Sequence, residues 1–366
     1  MQFDLERLKV AVRGKRVAVI CHPGSWLPHV GAFADFMLAN ADVKGFLALE
    51  HGLRGELQDG IEFTSYEDQR TGLPVFTIYA GRHTFPNEFL ENVDVVVYCV
   101  QDISHRAYTY KKALADTMLA ASETNTAVVV LDRPTPLGHL GPGGVAAPQY
   151  FPLAMPMVVH ITLGEMALWL RHCQGLDVDL EVIPLLGWRR SDPWRSTGLP
   201  WVPPSPNIPS LDSAYAYTMT WIVQSTNVSE GRGTCKPFEY VGAPFVDSLA
   251  LTGSLRKSNL PGLAFREVGF LPGFGKYAGQ VCFGVHIIIE DYQALNPIRT
   301  MATVLQEIAR LHPNEFELTE PFDRRMGCGA WTVERLAEMD VDEYLNQGDV
   351  DSRAFAATVE DSLLYS

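Results

Sequence analysis

No run in this 366-residue sequence approaches the ~18 consecutive apolar residues of a membrane-spanning helix. Positive charge is scarce: 29 Lys and Arg stand against 43 Asp and Glu, for a formal net charge of -14. Such a surface repels phosphate backbones, so nucleic acid is not an expected partner, and an acidic ligand would need local arginines. The six cysteines (Cys21, Cys99, Cys173, Cys235, Cys282 and Cys328) form no CxxC or other tight pairing. That argues against a zinc site and supplies no disulfide framework. No histidines sit at helical metal spacing, and neither a metal nor a cofactor is expected. The opening Met1-Gln2-Phe3-Asp4-Leu5-Glu6 lacks the basic-then-apolar layout of a signal peptide. The expectation is a cytoplasmic protein with reduced thiols, or an exported one whose leader precedes this numbering.

Several catalytic fingerprints are absent too. No GxGxxG follows the first apolar run, where His22-Pro23-Gly24 stands, and Pro142 interrupts the glycine-rich Gly138 to Gly144. Nicotinamide binding is therefore not expected. There is no GxxxxGK[ST], GxSxG or HExxH, which removes the P-loop and the usual serine-hydrolase and zincin signatures.

What is present is an ordinary globular composition, 47% hydrophobic and 20% charged, long enough for two domains. Short β-branched runs at Val17–Ile20, Phe46–Leu49, Val75–Ile78, Val93–Val100 and Val128–Leu131 suit strands buried on both faces. Helical segments at Val30–Asn40 and Arg106–Ala121 alternate with them. The pattern predicts a Rossmann-like, doubly wound parallel sheet. Thr162–Cys173 reads as another helix, with Thr162 as cap and Glu165 completing a capping box. A Pro-, Trp- and Ser-rich stretch, Gly187–Pro209, is too irregular for regular elements and long enough to be functional. The boundary is placed near Leu176, giving domains 1–175 and 176–366. The second domain reads as α+β from a strand at Val281–Ile289 and helices at Thr300–Leu311 and Ser352–Leu364.

Ligands of open parallel sheets bind beyond the carboxyl ends of the strands. The expected strands deliver His22, then Glu50, His51 and Arg54, then Gln101, Asp102 and Arg106, and finally Asp132 and Arg133 to one edge. Polar residues also collect at solvated strand ends, and Asp102 could simply pair with Arg54 or Arg106. Four coincident clusters favour a site. With the other fingerprints absent, carboxylate chemistry remains. Glycoside hydrolysis uses one acid to protonate the leaving oxygen and a second group as base or nucleophile, a role some substrates fill with their own N-acetyl group. Glu50 is the leading catalytic residue, assisted by Asp102 and Glu230. The second half adds Thr226-Asn227-Val228-Ser229-Glu230-Gly231-Arg232-Gly233-Thr234. There, flanking glycines let Arg232 approach a ligand and hold a carboxylate; a turn stapled by its own Ser and Asn side chains is the other reading.

Taken in order, the motifs Glu50-His51-Gly52-Leu53-Arg54-Gly55, Thr71-Gly72-Leu73-Pro74-Val75, Gln101-Asp102, Tyr108-Thr109-Tyr110 and Leu131-Asp132-Arg133-Pro134 form a pattern. Trp201-Val202-Pro203-Pro204-Ser205-Pro206-Asn207-Ile208-Pro209 and the Thr226–Thr234 motif extend it. Together they resemble the exo-β-N-acetylmuramidase (NamZ) family, formerly a domain of unknown function. The resemblance implies a cleft between a Rossmann-like domain and an auxiliary C-terminal domain. It also implies removal of terminal N-acetylmuramic acid from peptidoglycan fragments, with Glu50 as the glutamate of the family's EHG motif. The sugar's lactyl carboxylate would want a cation, for which Arg54, Arg106 and Arg232 are the candidates. His22, His51, Gln101, Asp132, Arg133, Asn207, Asn227 and Ser229 complete the expected substrate-binding set.

The chain departs from the family pattern at several polar positions. Met118-Leu119 stands where the family has a glutamate beside a methionine, Val158-Val159-His160 where it reads Arg-His-Gly, Gln224-Ser225 where it reads Glu-Gly, and Cys21 in place of an asparagine. Two readings follow: a divergent hydrolase whose acid has moved to Glu123, Glu230 or Asp102, or a protein that binds muropeptide-like sugars without cleaving them.

Overall fold

The computed structural model describes residues 1–79, 85–148 and 153–366. Seven strands form the main sheet in the order Leu180–Ile183, Ala127–Leu131, Val95–Tyr98, Arg16–Ile20, Asp42–Ala48, Pro74–Thr77 and Tyr66–Glu67. All neighbours are parallel except the last pair, which is antiparallel. Each of the five expected strands overlaps one of these. The physical reason is that both faces are covered. Val17, Val19, Val95 and Val97 enter one apolar core with Leu8, Phe33 and Met37 of the helices Leu5–Val12 and Phe33–Asn40. Their neighbours Ala18, Ile20, Val96 and Tyr98 enter a second core with Leu114 of the helix Tyr110–Thr124 and Met166 of Leu163–Gln174. The alternation is the two-residue period of a strand.

Element boundaries differ from the sequence reading where local pairing intervenes. The helix expected from Val30 begins at Phe33, because Gly31–Ala32 pairs with Trp26–Leu27. The crossover helix begins at Tyr110 rather than Arg106, since the residues before it fold into a buried loop. The strand Leu180–Ile183 lies beyond the boundary expected near Leu176. It nevertheless edges this sheet in parallel register with Val128–Leu131, so the first layer runs past that point.

The expected capping box is present. Thr162 Oγ1 accepts from the Glu165 N–H at 3.2 Å, and Glu165 returns a carboxylate to the Thr162 N–H at 2.9 Å. Thr162→Ala is expected to cost about 0.5–2 kcal/mol, read as a lower urea midpoint at unchanged slope. An unchanged midpoint would contradict the role given to this cap.

In the second half, a three-stranded antiparallel sheet (Tyr240–Ala243, Cys282–Ile289, Leu263–Phe270) packs with the helices Leu211–Thr220, Ser248–Lys257 and Pro297–Leu311. The terminal helix spans Val341–Val359, starting well before Ser352 because Asp340 caps it by accepting from Asp342 and Glu343 N–H. Gly187–Pro209 contains only a short helical turn, Trp194–Thr197. Among the described residues no helix is long and apolar enough to cross a membrane. The larger core continues through both halves, from Val96 and Leu114 to Tyr215 and Met301. Strand order reverses at Arg16–Ile20, between Asp42–Ala48 and Val95–Tyr98. That reversal opens a crevice at the carboxyl edge, where Glu50 leaves the sheet.

Candidate active site

Glu50 opens a loop that its neighbour closes. His51 Nδ1 lies 3.0 Å from the Leu57 carbonyl oxygen, and the His51 carbonyl accepts from Leu57 N–H at 3.2 Å. The Glu50 carboxylate accepts from the Thr109 hydroxyl at 2.8 Å and from Gly60 N–H at 3.3 Å. Both donors leave the carboxylate half-buried and accessible from a cavity of about 200 Å³ between the two halves. His51, Asp59 and Asn207 also line that cavity, and Trp221, Gln224, Arg232 and Arg325 supply its far wall.

The wall is built by a tight turn. Gly231 and Gly233 both have φ of +79°, and a Cβ on Gly233 would come within 2.4 Å of the Phe274 carbonyl oxygen. Only glycine fits on either side of Arg232. Arg232 donates to Asp59 Oδ2 at 2.7 Å and to Gln224 Oε1 at 2.8 Å, with its guanidinium 5.3 Å from the Phe238 ring centre. Asp59 accepts from Asn207 Nδ2 through its other oxygen at 3.0 Å, so one carboxylate ties the Glu50 loop to both motifs of the second half. Arg325 donates to Ser225 Oγ at 2.7 Å and lies 5.0 Å from the Trp221 ring centre. Among the described residues, Arg325 Nε and Gln224 Nε2 are buried without an acceptor, and Arg232 Nε has only the Glu230 carboxylate, 3.6 Å away. Two guanidinium groups in one wall favour an anionic ligand in this cavity.

The structure thus brings Glu50, His51, Asn207 and Arg232 together. The other expected residues do not line this cavity. His22 is buried, accepting from Gln101 N–H at 2.9 Å, and burial reinforced by Arg133 pushes its pKa down to about 3, which leaves it neutral. Gln101 donates to the Pro134 carbonyl at 2.9 Å and accepts from Arg133 Nε at 3.0 Å, while Arg133 also reaches the Trp26 carbonyl at 3.2 Å. Asp102 forms a buried ion pair with Lys111 and lines neither cavity at Glu50. Arg106 is buried with no carboxylate; it donates to the carbonyls of Val145, Met155 and Arg325, and burial lowers its pKa to about 10. It meets the cleft wall through the Arg325 backbone.

Asp132 accepts from Thr162 Oγ1 (2.6 Å), Tyr365 OH (2.7 Å) and Gly164 N–H (2.9 Å), while burial and Glu165 raise its pKa to about 6. Arg54 is held by both oxygens of Asp68, each at 2.8 Å. Glu230 pairs with Lys276 at 3.3 Å and lies 3.6 Å from Arg232 Nε. Asn227 clasps the 315–317 segment through the Glu315 carbonyl and Glu317 N–H, and Ser229 accepts from Gly231 N–H at 3.1 Å.

Sequence reasoning missed Asp59, Arg325 and the cleft face of Trp221. It noted Gln224 only as a departure. Leu119 is 47% exposed and lines neither cavity, and Glu123 is also exposed. The carboxylate of that helix nearest the site is Asp116, one turn earlier, which lines a second cavity of about 270 Å³ that Glu50 also borders. Its signal was helical spacing from Leu119, counted back toward the strand end rather than forward to Glu123.

Residues 17–212 match the family described as exo-beta-N-acetylmuramidase NamZ, N-terminal, and residues 215–365 match its C-terminal counterpart. The chain is 35% identical to the peptidoglycan beta-N-acetylmuramidase NamZ of Bacillus subtilis (strain 168), over 98% of this chain and 88% of that protein. A DUF1343 family protein of known crystal structure, from Bacteroides fragilis, superposes with a TM-score of 0.85 at 28% identity, covering 99% of this chain and 97% of that one. A second from the same organism shares the fold at a TM-score of 0.74, with 21% identity and the same coverage. With both of its halves matched, a curated relative aligned along nearly all of its length, and the fold shared, this chain belongs to the exo-β-N-acetylmuramidase NamZ family.

Proposed function

We propose that the chain is an exo-acting glycosidase that releases N-acetylmuramic acid from the non-reducing ends of peptidoglycan fragments. The observation that carries this reading is the pairing of one accessible carboxylate, Glu50, with the arginines Arg232 and Arg325 across one small cavity. The lactyl carboxylate of N-acetylmuramic acid is the anion that this cationic wall would draw in. Glu50 protonates the glycosidic oxygen as the bond to the anomeric carbon breaks. Asp59, the other carboxylate among the described residues lining this cavity, takes a proton from the water that adds to the anomeric carbon, so that the sugar leaves with a new hydroxyl. An acidic protein thus binds an acidic sugar through two local arginines.

Arg325→Met is expected to remove about 1.5–3 kcal/mol of binding, a roughly 10–100-fold rise in KM for N-acetylmuramic acid substrates with a smaller change in kcat. Equal KM in variant and unmodified protein would remove Arg325 from the carboxylate site. A second reading, a protein that binds such sugars without cleaving them, is favoured by neutral Gln224 standing in the cleft where the family tends to have a glutamate. Mass spectrometry separates the two. Incubation with fragments ending in N-acetylmuramic acid should release the free sugar. Binding without release would support the second reading.

A further inference from the structure

Arg325 reaches the cleft from a short helical turn, Phe322–Met326, too short to hold its place through its own hydrogen bonds. Its last carbonyls are held from outside. The Arg325 carbonyl accepts from Arg106, the Met326 carbonyl from Tyr344 OH at 3.0 Å, and the carbonyl of the following Gly327 from Trp331 Nε1 at 2.7 Å. All three donor residues are buried. Tyr344 and Trp331 belong to the second half of the chain, whereas Arg106 comes from the first.

Arg106 suits this task because a guanidinium carries its donors in a rigid fork. One terminal nitrogen donates to the carbonyls of Val145 and Met155, on facing arms of the 143–158 segment, and the other donates to Arg325. A buried cation is costly, so the fork is explained by the segments it joins. Its neighbours reach the same site. The His105 ring lies 5.0 Å from that of Trp221, and Trp221 lies 5.0 Å from the Arg325 guanidinium. Just beyond, Thr109 donates to the Glu50 carboxylate at 2.8 Å. The segment 105–109 therefore touches the carboxylate on one side of the cleft and the support of the arginine on the other.

We infer that Arg106 is a positioning residue for anion recognition: it fixes where the Arg325 guanidinium stands relative to Glu50, and so sets the preference for an acidic sugar. That role rests on the carboxylate-binding reading of Arg325 given above. Arg106 does not line the cavity, and its effect passes through the Arg325 carbonyl. A guanidinium displaced by ~1 Å loses the alignment that a charge-assisted contact needs. The neutral parts of the sugar, held by other groups, are unaffected.

The test is a pair of dissociation constants measured by calorimetry, for N-acetylmuramic acid and for its lactyl amide, which keeps the shape and loses the charge. Binding is read whether or not glycosides are cleaved, and a misfolded fraction lowers the stoichiometry without changing the ratio of the two constants. In Arg106→Met the preference for the acid should fall by about tenfold, with the amide bound as before. In Arg106→Lys, which keeps the charge but not the fork, it should fall by roughly threefold. The lysine variant carries the test if methionine is not accommodated. Arg325→Met should lose the preference on its own, and adding Arg106→Met should change it no further, because both act through one contact. An unchanged preference in folded Arg106→Met, or in Arg106→Lys where methionine does not fold, overturns the assignment. So does a further loss of about tenfold in the double variant. Equal binding of acid and amide by the unmodified protein overturns the carboxylate reading of the cleft itself, which is a separate failure.

Discussion

Glu50→Gln is expected to lower kcat on the N-acetylmuramyl disaccharide by about 10²–10⁴-fold, with KM close to that of the unmodified protein. The amide keeps the shape of the side chain, and its carbonyl oxygen can still accept from the Thr109 hydroxyl that now lies 2.8 Å from the carboxylate. What it cannot do is give up a proton to a departing oxygen. The loss should therefore depend on the leaving group. A sugar hydroxyl needs protonation to depart, whereas fluoride or a dinitrophenolate needs far less help, so the variant should recover much of its rate on those substrates. A loss of the same size on every leaving group would show that Glu50 acts in some other way.

The second large effect is on stability. Lys111 and Asp102 form an ion pair with side chains 1% and 7% exposed. Lys111 also donates to the His105 carbonyl at 3.1 Å, and Asp102 accepts from Ser104 N–H at 2.8 Å, leaving its other oxygen without a donor. Lys111→Met strands a buried carboxylate, which costs about 3–5 kcal/mol. Urea unfolding should show a much lower midpoint at constant slope. Adding Asp102→Asn should recover part of the loss, because no uncompensated charge then remains. The same experiment separates the two roles considered for Asp102. If it is a scaffold residue, turnover per folded molecule survives in the double variant; if it is catalytic, turnover disappears. A loss below about 1 kcal/mol in Lys111→Met would mean that the pair is open to water.

Much of the fold was legible because its cause is local. Val17–Ile20 and Val128–Leu131 are continuous apolar runs that only a doubly covered sheet can bury, and Thr162 with Glu165 marks a helix start by side-chain chemistry alone. The segments that slipped were set by distant partners. Residues before Tyr110 look helical but are held in a loop by bonds such as Arg106 N–H to the Met157 carbonyl, at 3.0 Å. The candidate site was half legible for the same reason. Strand ends deliver polar groups to one edge, yet residue type does not say which way each one turns. Glu50 and His51 turn to the cleft, while His22, Asp132 and Arg133 turn inward and lock the loops. Arg232 was visible because its glycines mark a turn. Arg325 was not, since it enters from a short segment 219 residues beyond the Arg106 that fixes it, with no local pattern around it. Asp59 was hidden likewise, its role set by Arg232, 173 residues away.

This cleft is proposed to hydrolyse β-N-acetylmuramic acid glycosides and to recognise their acid group. Release of 4-nitrophenol from 4-nitrophenyl β-N-acetylmuramic acid, measured beside 4-nitrophenyl β-N-acetylglucosamine, tests it most directly. Turnover of the first is expected, with at least ~10-fold lower kcat/KM on the second, which lacks the carboxylate that Arg232 and Arg325 would hold. No nitrophenol from the first substrate, in folded protein that binds free N-acetylmuramic acid, would contradict it.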